Sequence, residues 1–120
     1  MSSVAMELAA LAAINAVPVR AISHITGGGF YENIPRALAA GCVARIDKAS
    51  LKVLPIFDLI QKEGNIPERD MFNTFNMGVG MAMVVAGDSA DEAVRVLKAN
   101  GQDAYIMGEI ANGEKGVEIC

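Results

Sequence analysis

HITGGGFYENIPR, residues 24–36, sets three consecutive glycines between an apolar run and a polar one. A bare turn needs one glycine, so the triplet asks for a further reason. Upstream, residues 19–26 read as a strand that leads straight into Gly27. Downstream, residues 32–39 read as a helix, with Pro35 expected in its first turn, where a missing N–H costs nothing. Strand, glycine loop and helix start together predict an α/β or mixed α+β domain: a mixed β-sheet layered with α-helices.

The same succession is a recognised anion cradle. Backbone N–H groups of such a loop converge on a phosphate, and the helix N-terminus adds a positive partial charge, a contact worth about 0.5–2 kcal/mol. The P-loop signature is absent, because no Lys-Ser/Thr follows the glycines. The dinucleotide signature begins at Gly27 and Gly29 but has Glu32 where its last glycine belongs. A tight strand-to-helix turn stays open beside the phosphate loop of Gly27, Gly28 and Gly29. His24 and Thr26 share one parity on the strand and point the same way. His24 is a candidate for polar contact with a ligand or for a structural hydrogen bond. Asn33 lies at the start of the helix, and Arg36 suits either a phosphate or solvent.

Working outward, residues 1–16 (MSSVAMELAALAAINA) read as an alanine-rich helix ended by Pro18, with Val4, Leu8, Leu11 and Asn15 near one stripe. Residues 42–47 read as a strand. Residues 56–62 form a short helix closed by Gly64, and another follows near Pro67 with Glu68 in its first turn. Residues 77–86 read as a central strand buried on both faces. Residues 90–100 read as a helix with the stripe Ala93, Val94 and Leu97, followed by Gly101. Residues 104–110 and 116–119 read as closing strands, with Asn112-Gly113 predicting a hairpin between them.

A second stretch, Asn76-Met77-Gly78-Val79-Gly80-Met81, places two glycines on one face of the expected strand. Glycine weakens a strand interior, so either close helix packing or ligand approach is expected at Gly78 and Gly80. The methionines read as core filler.

Composition bounds the rest. The 120 residues suit one domain, residues 1–120, which buries roughly two thirds of its unfolded surface. A net charge of -4 with only ten scattered Lys and Arg argues against nucleic acid as a partner. Two cysteines, Cys42 and Cys120, make no disulfide framework and fit a reducing cytoplasm. The N-terminal run lacks a basic leader and is interrupted by Glu7, so no signal peptide is expected, and no apolar run reaches membrane-span length. There is no Cys/His cluster with metal-ligand spacing and no nucleophile elbow.

Three segments in order, HITGGGFYENIPR, PIFDLIQKEGNIPERDMF (55–72) and TFNMGVGM (74–81), with the ending around AYIMGEI (104–110), closely resemble the C-terminal domain of the phosphoribosylformylglycinamidine cyclo-ligase family, the aminoimidazole ribonucleotide synthetases of purine biosynthesis. The resemblance runs from about Val19 to the end. The glycine loops of other families with the same two-domain plan, such as selenophosphate synthetase and thiamine phosphate kinase, read differently. Leu51 and Leu54 stand where family members often carry Trp and a second Pro.

The resemblance implies an ATP-dependent ring closure: phosphoryl transfer activates a formyl amide oxygen, an amidine nitrogen attacks, and phosphate leaves. It implies ATP and Mg²⁺ as cofactors, bound mostly by an N-terminal domain that these residues do not include, and a small ribonucleotide as substrate. His24 and Asn76 are the implied catalytic contacts. Thr26, Gly27, Gly28, Gly29, Asn33, Gly78 and Gly80 are the implied phosphate and substrate contacts, with Arg36 added from its place near the loop. The N-terminal domain, in cis or in trans, is the expected partner, and self-association would cover apolar surface exposed without it. The isolated chain is expected not to cyclise alone, whether it is an excised domain, a truncated product or half of a split enzyme. The competing expectation is a stand-alone small-molecule binding or structural domain that has lost the chemistry.

Overall fold

A computed structural model describes residues 3–120, with side chains from Leu8 onward. The elements are α1 (Ser3–Ala16), β1 (Val19–His24), α2 (Gly29–Arg36), β2 (Cys42–Ile46), α3 (Pro55–Gly64), α4 (Glu68–Thr74), β3 (Met81–Val85), α5 (Ala90–Ala99), β4 (Gly108–Asn112) and β5 (Gly116–Ile119), with 3-10 turns at Lys48–Ser50 and Gly87–Ser89. They form two compact units. One comprises residues 83–106 and the described residues up to 22, the other residues 23–82 and 107–120.

In the first unit α1 packs against α5. The expected stripe on α1 is corrected: Leu8 and Leu11 are 63% and 56% exposed, whereas Ala9, Ala10 and Ala13 are buried. Small side chains let two helix axes approach closely, and leucine at those positions would hold them apart. On α5 the buried member of the expected stripe is Ala93. Val4 lies outside the described side chains.

The second unit carries the three-stranded sheet, in the order β4-β2-β5. β4 runs antiparallel to β2, with Ala44 opposite Ile110, and β5 runs parallel to it, with Ala44 opposite Val117. The sheet is therefore mixed, and α2 packs on β2 and β5. This is the mixed α/β (α+β) layering that the sequence predicts. The expected hairpin is not formed. β4 and β5 flank opposite edges of β2, because the loop after Asn112 passes over the end of β2. There the Gly113 N–H bonds the Gly41 carbonyl at 3.0 Å, and a side chain on Gly113 would meet Val43 Cγ1 at 3.0 Å. The core of this unit is Ile25, Phe30, Ile34, Leu38, Val43, Ala44, Ile46, Met71, Phe72 and Met77.

Other boundaries shift for local reasons. α2 starts three residues earlier than expected, because Gly28 takes a left-handed conformation (φ 101) and caps it. Pro35 consequently sits near the end of α2 rather than in its first turn, and the helix stops one residue later. α3 begins with Pro55 in its first turn and ends on left-handed Asn65 (φ 49). The strand expected over 77–86 is only Met81–Val85. Met77 (φ 54) and Gly78 (φ 94) turn the chain instead, closed by a 2.9 Å bond from Val79 N–H to the Asn76 carbonyl. Gly78 and Gly80 thus do not share a strand face. β3 pairs with β1 in a two-stranded sheet and is half-buried throughout, since a sheet of two strands leaves its surfaces partly open.

Candidate functional site

The glycine loop is built around the side chain of Asn33. Its amide Nδ2 donates to the carbonyls of Gly29 (2.9 Å), Gly27 (3.3 Å) and Thr26 (3.4 Å), and its Oδ1 accepts from Thr26 Oγ1 (3.4 Å). The Gly29 N–H also bonds the Thr26 carbonyl at 3.0 Å. Asn33 is 7% exposed, and Ser23 Oγ donates to its backbone carbonyl at 2.9 Å. All peptide bonds among the described residues are trans, so each N–H points opposite to the carbonyl of its own peptide unit. With three carbonyls drawn toward Asn33, the N–H groups of Gly27, Gly28 and Phe30 are turned away from it. Outward N–H groups at a helix start form an anion-binding concavity. Asn33 itself supports the loop from within.

The three glycines serve three different needs. A β-carbon on Gly29 (φ 61) would collide with the Phe72 carbonyl oxygen and lie 2.7 Å from that of Phe75, so α2 is seated directly on the end of α4. The edge-to-face contact of Phe30 with Phe72, centroids 5.2 Å apart, and the Arg69 guanidinium 4.1 Å over the Tyr31 ring hold the same two helices together. Gly28 needs its left-handed backbone and is covered by Glu32, whose Cβ would lie 2.9 Å from an added side chain. At Gly27 neither constraint applies: a β-carbon there would meet nothing within 4 Å.

Gly27 borders an open depression of about 310 Å³, lined also by Thr26, Phe57, Thr74, Phe75 and Asn76. Phe57 and Phe75 pack as tilted rings, centroids 5.7 Å apart, and form its apolar wall. Asn76 Oδ1 accepts from the Gly78 N–H at 2.9 Å, which leaves the Nδ2 group to serve the depression. The opening therefore offers hydroxyls, an amide donor and a glycine N–H beside two aromatic rings. This donor set suits a phosphorylated or carbonyl-bearing small molecule. It includes no carboxylate, and no group of three His, Cys, Asp or Glu able to hold a metal occurs among the described residues. It does not fit a magnesium ion.

The structure brings Thr26, Gly27 and Asn76 together. His24, the last residue of β1, is exposed, as is Thr26 two residues on. Arg36 lies at the far end of α2 from the loop, roughly 10 Å along the axis, where a cation suits the helix C-terminus. The space beside Gly78 is taken by backbone: an added β-carbon would lie 3.1 Å from the Lys52 carbonyl. The Gly80 carbonyl accepts from the Ile25 N–H at 3.0 Å. The sequence reading missed Ser23, Phe57, Thr74 and Phe75. Each looks like an ordinary element residue in sequence, and only the packing of α2 and α3 on α4 gathers Phe57, Thr74 and Phe75 around the loop, while Ser23 reaches it from β1.

A family model described as "AIR synthase related protein, C-terminal domain" matches residues 2–120. Among curated relatives, the phosphoribosylformylglycinamidine cyclo-ligase of Lachnoclostridium phytofermentans is 54% identical over 104 residues, covering 87% of this chain and 30% of the relative. The protein of the same name from Caldicellulosiruptor saccharolyticus is 46% identical over 109 residues, 91% of this chain and 32% of the relative. That from Shouchella clausii is 52% identical over 92 residues, 77% of this chain and 27% of the relative. The chain thus spans about a third of the length of these relatives.

Proposed function

The chain belongs to the family of AIR synthase related proteins, matching their C-terminal domain, and on that premise we propose that it is the C-terminal part of an ATP-dependent cyclo-ligase. The reaction is the closure of formylglycinamidine ribonucleotide to aminoimidazole ribonucleotide in purine biosynthesis, in the cytoplasm. The observation that carries the reading is the meeting of Thr26, Gly27 and Asn76, from two separate motif stretches, on one open depression.

In this reading the ribonucleotide phosphate lies on the outward N–H groups of Gly27 and Gly28, helped by the α2 N-terminus. Thr26 and Thr74 supply hydroxyl contacts, and Asn76 Nδ2 donates to a substrate oxygen. Phe57 and Phe75 exclude water from one side. These contacts bind and orient the substrate, and orientation alone supplies a large share of the rate of a ring closure. ATP and Mg²⁺ are assigned to the N-terminal part that completes the relatives, in cis or in trans, because the donors around the depression do not suit a magnesium ion.

The test is a cyclisation assay with formylglycinamidine ribonucleotide and Mg-ATP. It is run on the chain alone and on the chain co-expressed and purified with the N-terminal segment of the Lachnoclostridium phytofermentans relative. Turnover confined to the complex is expected. A purified complex that binds ribonucleotide without turning it over would overturn the ligase reading in favour of a binding domain.

A further inference from the structure

A surface helix of a soluble domain normally turns its apolar stripe inward and leaves its polar face to solvent. α3 leaves part of its apolar surface outside. None of its residues is buried, and Ile56 and Leu59 are 52% and 54% exposed. Leu54, immediately before the helix, is 52% exposed. Ile56, Leu59 and the half-buried Ile60 stand at i, i+3 and i+4, on one face of the helix. Asp58 lies away from this face, while the exposed Lys62 and Glu63, three and four positions after Leu59, border it at its C-terminal end. Phe57 alone among the apolar residues of the helix is tied inward by a ring contact, to Phe75, and through it α3 forms one wall of the depression. An apolar face with this arrangement marks an interaction surface.

Two observations identify what covers it. The chain accounts for only 30–32% of relatives that it matches at 46–54% identity, so most of a relative's chain lies outside this structure. α3 itself also lines the depression, through Phe57, and the donors there lack what a magnesium ion requires. A segment that completed such a site would have to seat beside it.

We propose that the exposed Ile56 and Leu59 of α3, with Leu54 just before the helix, form the docking surface for the N-terminal segment of the longer relatives, anchoring it against the candidate site. The occupant presents a complementary apolar patch, and the three side chains form the desolvated centre of the contact. This assignment rests on the ligase reading above, since it takes the chain to work joined to an N-terminal part.

The experiment uses Ile56→Lys and Leu59→Lys, with Asp58→Lys on the polar side as the control. Thermal melts first establish that each variant is folded, as exposed positions predict. Each is co-expressed with the N-terminal segment of the Lachnoclostridium phytofermentans relative, co-purified, and its affinity measured by dilution in analytical ultracentrifugation. The expected result is a loss of at least about tenfold in affinity for Ile56→Lys and for Leu59→Lys, with Asp58→Lys within about threefold of wild type. Wild-type affinity in both α3 variants would overturn the proposal, and if those complexes still cyclise substrate the ligase reading survives alone. A chain that self-associates through this face and is not displaced by the segment would overturn it too. Failure of the wild-type chain to co-purify with the segment would overturn both readings.

Discussion

The side-chain amide of Asn33 reaches back four residues to donate to the carbonyl of Gly29 at 2.9 Å, and the glycine loop is wrapped around that contact. Sharing the amide among Gly29, Gly27 and Thr26 points three carbonyls inward and their peptide N–H partners outward. Replacing Asn33 by Ala leaves these carbonyls without their donor, and that of Gly29 is buried from water. The expected cost is about 1–3 kcal/mol of stability, read from urea denaturation. An unchanged midpoint would mean that the loop holds its shape without Asn33.

The three glycines should separate cleanly on substitution. Gly29→Ala places a methyl group against the Phe72 carbonyl on a left-handed backbone, and is expected to cost more than about 3 kcal/mol or to prevent folding. Gly27→Ala meets open space, and is expected to change stability by less than about 1 kcal/mol. Because Gly27 borders the depression, the same alanine should weaken binding of ribose 5-phosphate, followed by amide chemical shifts. Equal destabilisation by both alanines would remove the distinction between a packing glycine and a site glycine.

Glu32 lies over Gly28 in the first turn of α2, where its charge suits the helix dipole but opposes an arriving phosphate. Glu32→Gln should tighten phosphate binding by roughly two- to fivefold, the equivalent of a helix-end charge effect of about 0.3–1 kcal/mol. Raising the salt concentration should shrink the difference between the two proteins, since exposed charges are screened. Weaker binding by the glutamine variant would show that the phosphate does not approach this helix end.

Asn76 divides its two polar atoms between structure and site. Asn76→Asp keeps an acceptor for the Gly78 N–H, so the turn and the melting temperature should be nearly preserved. It also sets a carboxylate beside the depression in place of a donor, and anion affinity should fall at least about tenfold. Asn76→Ala should lose both the turn contact and the ligand contact. Wild-type anion affinity in the Asn76→Asp protein would place the Nδ2 group outside the site.

Local chemistry was legible wherever a residue's own backbone preference decided the outcome. Gly64 and Gly101 mark the ends of α3 and α5, Pro18 follows α1, and the β2 and β5 segments were readable from β-branched and apolar residues. The reading failed where a partner element decided. Apolar residues 77–80 look like strand, yet the positive φ of Met77 and Gly78 makes them a turn, and the burial of the Met77 side chain holds that conformation in place. Asn112-Gly113 carries the composition of a hairpin turn, yet β2 lies between the strands it joins. On α1 the larger apolar side chains pointed to the wrong face, because helix approach to α5 favoured alanine over leucine.

The same division runs through the candidate site. The sequence by itself determined that a strand enters a glycine loop and leaves it as a helix, that the sheet is mixed, and that the loop carries Thr26 and Gly27. It also determined the family, because long ordered motifs are specific without any geometry. Only the tertiary structure decided which glycine is needed for packing and which is left open, since that depends on the Phe72 carbonyl, forty-three positions away in the chain. It likewise decided that Asn33 faces inward, that Arg36 stands away from the loop, and that Phe57, Thr74 and Phe75 join Asn76 around Gly27. Steric exclusion and hydrogen-bond direction act through space between distant residues, and a linear pattern does not encode them.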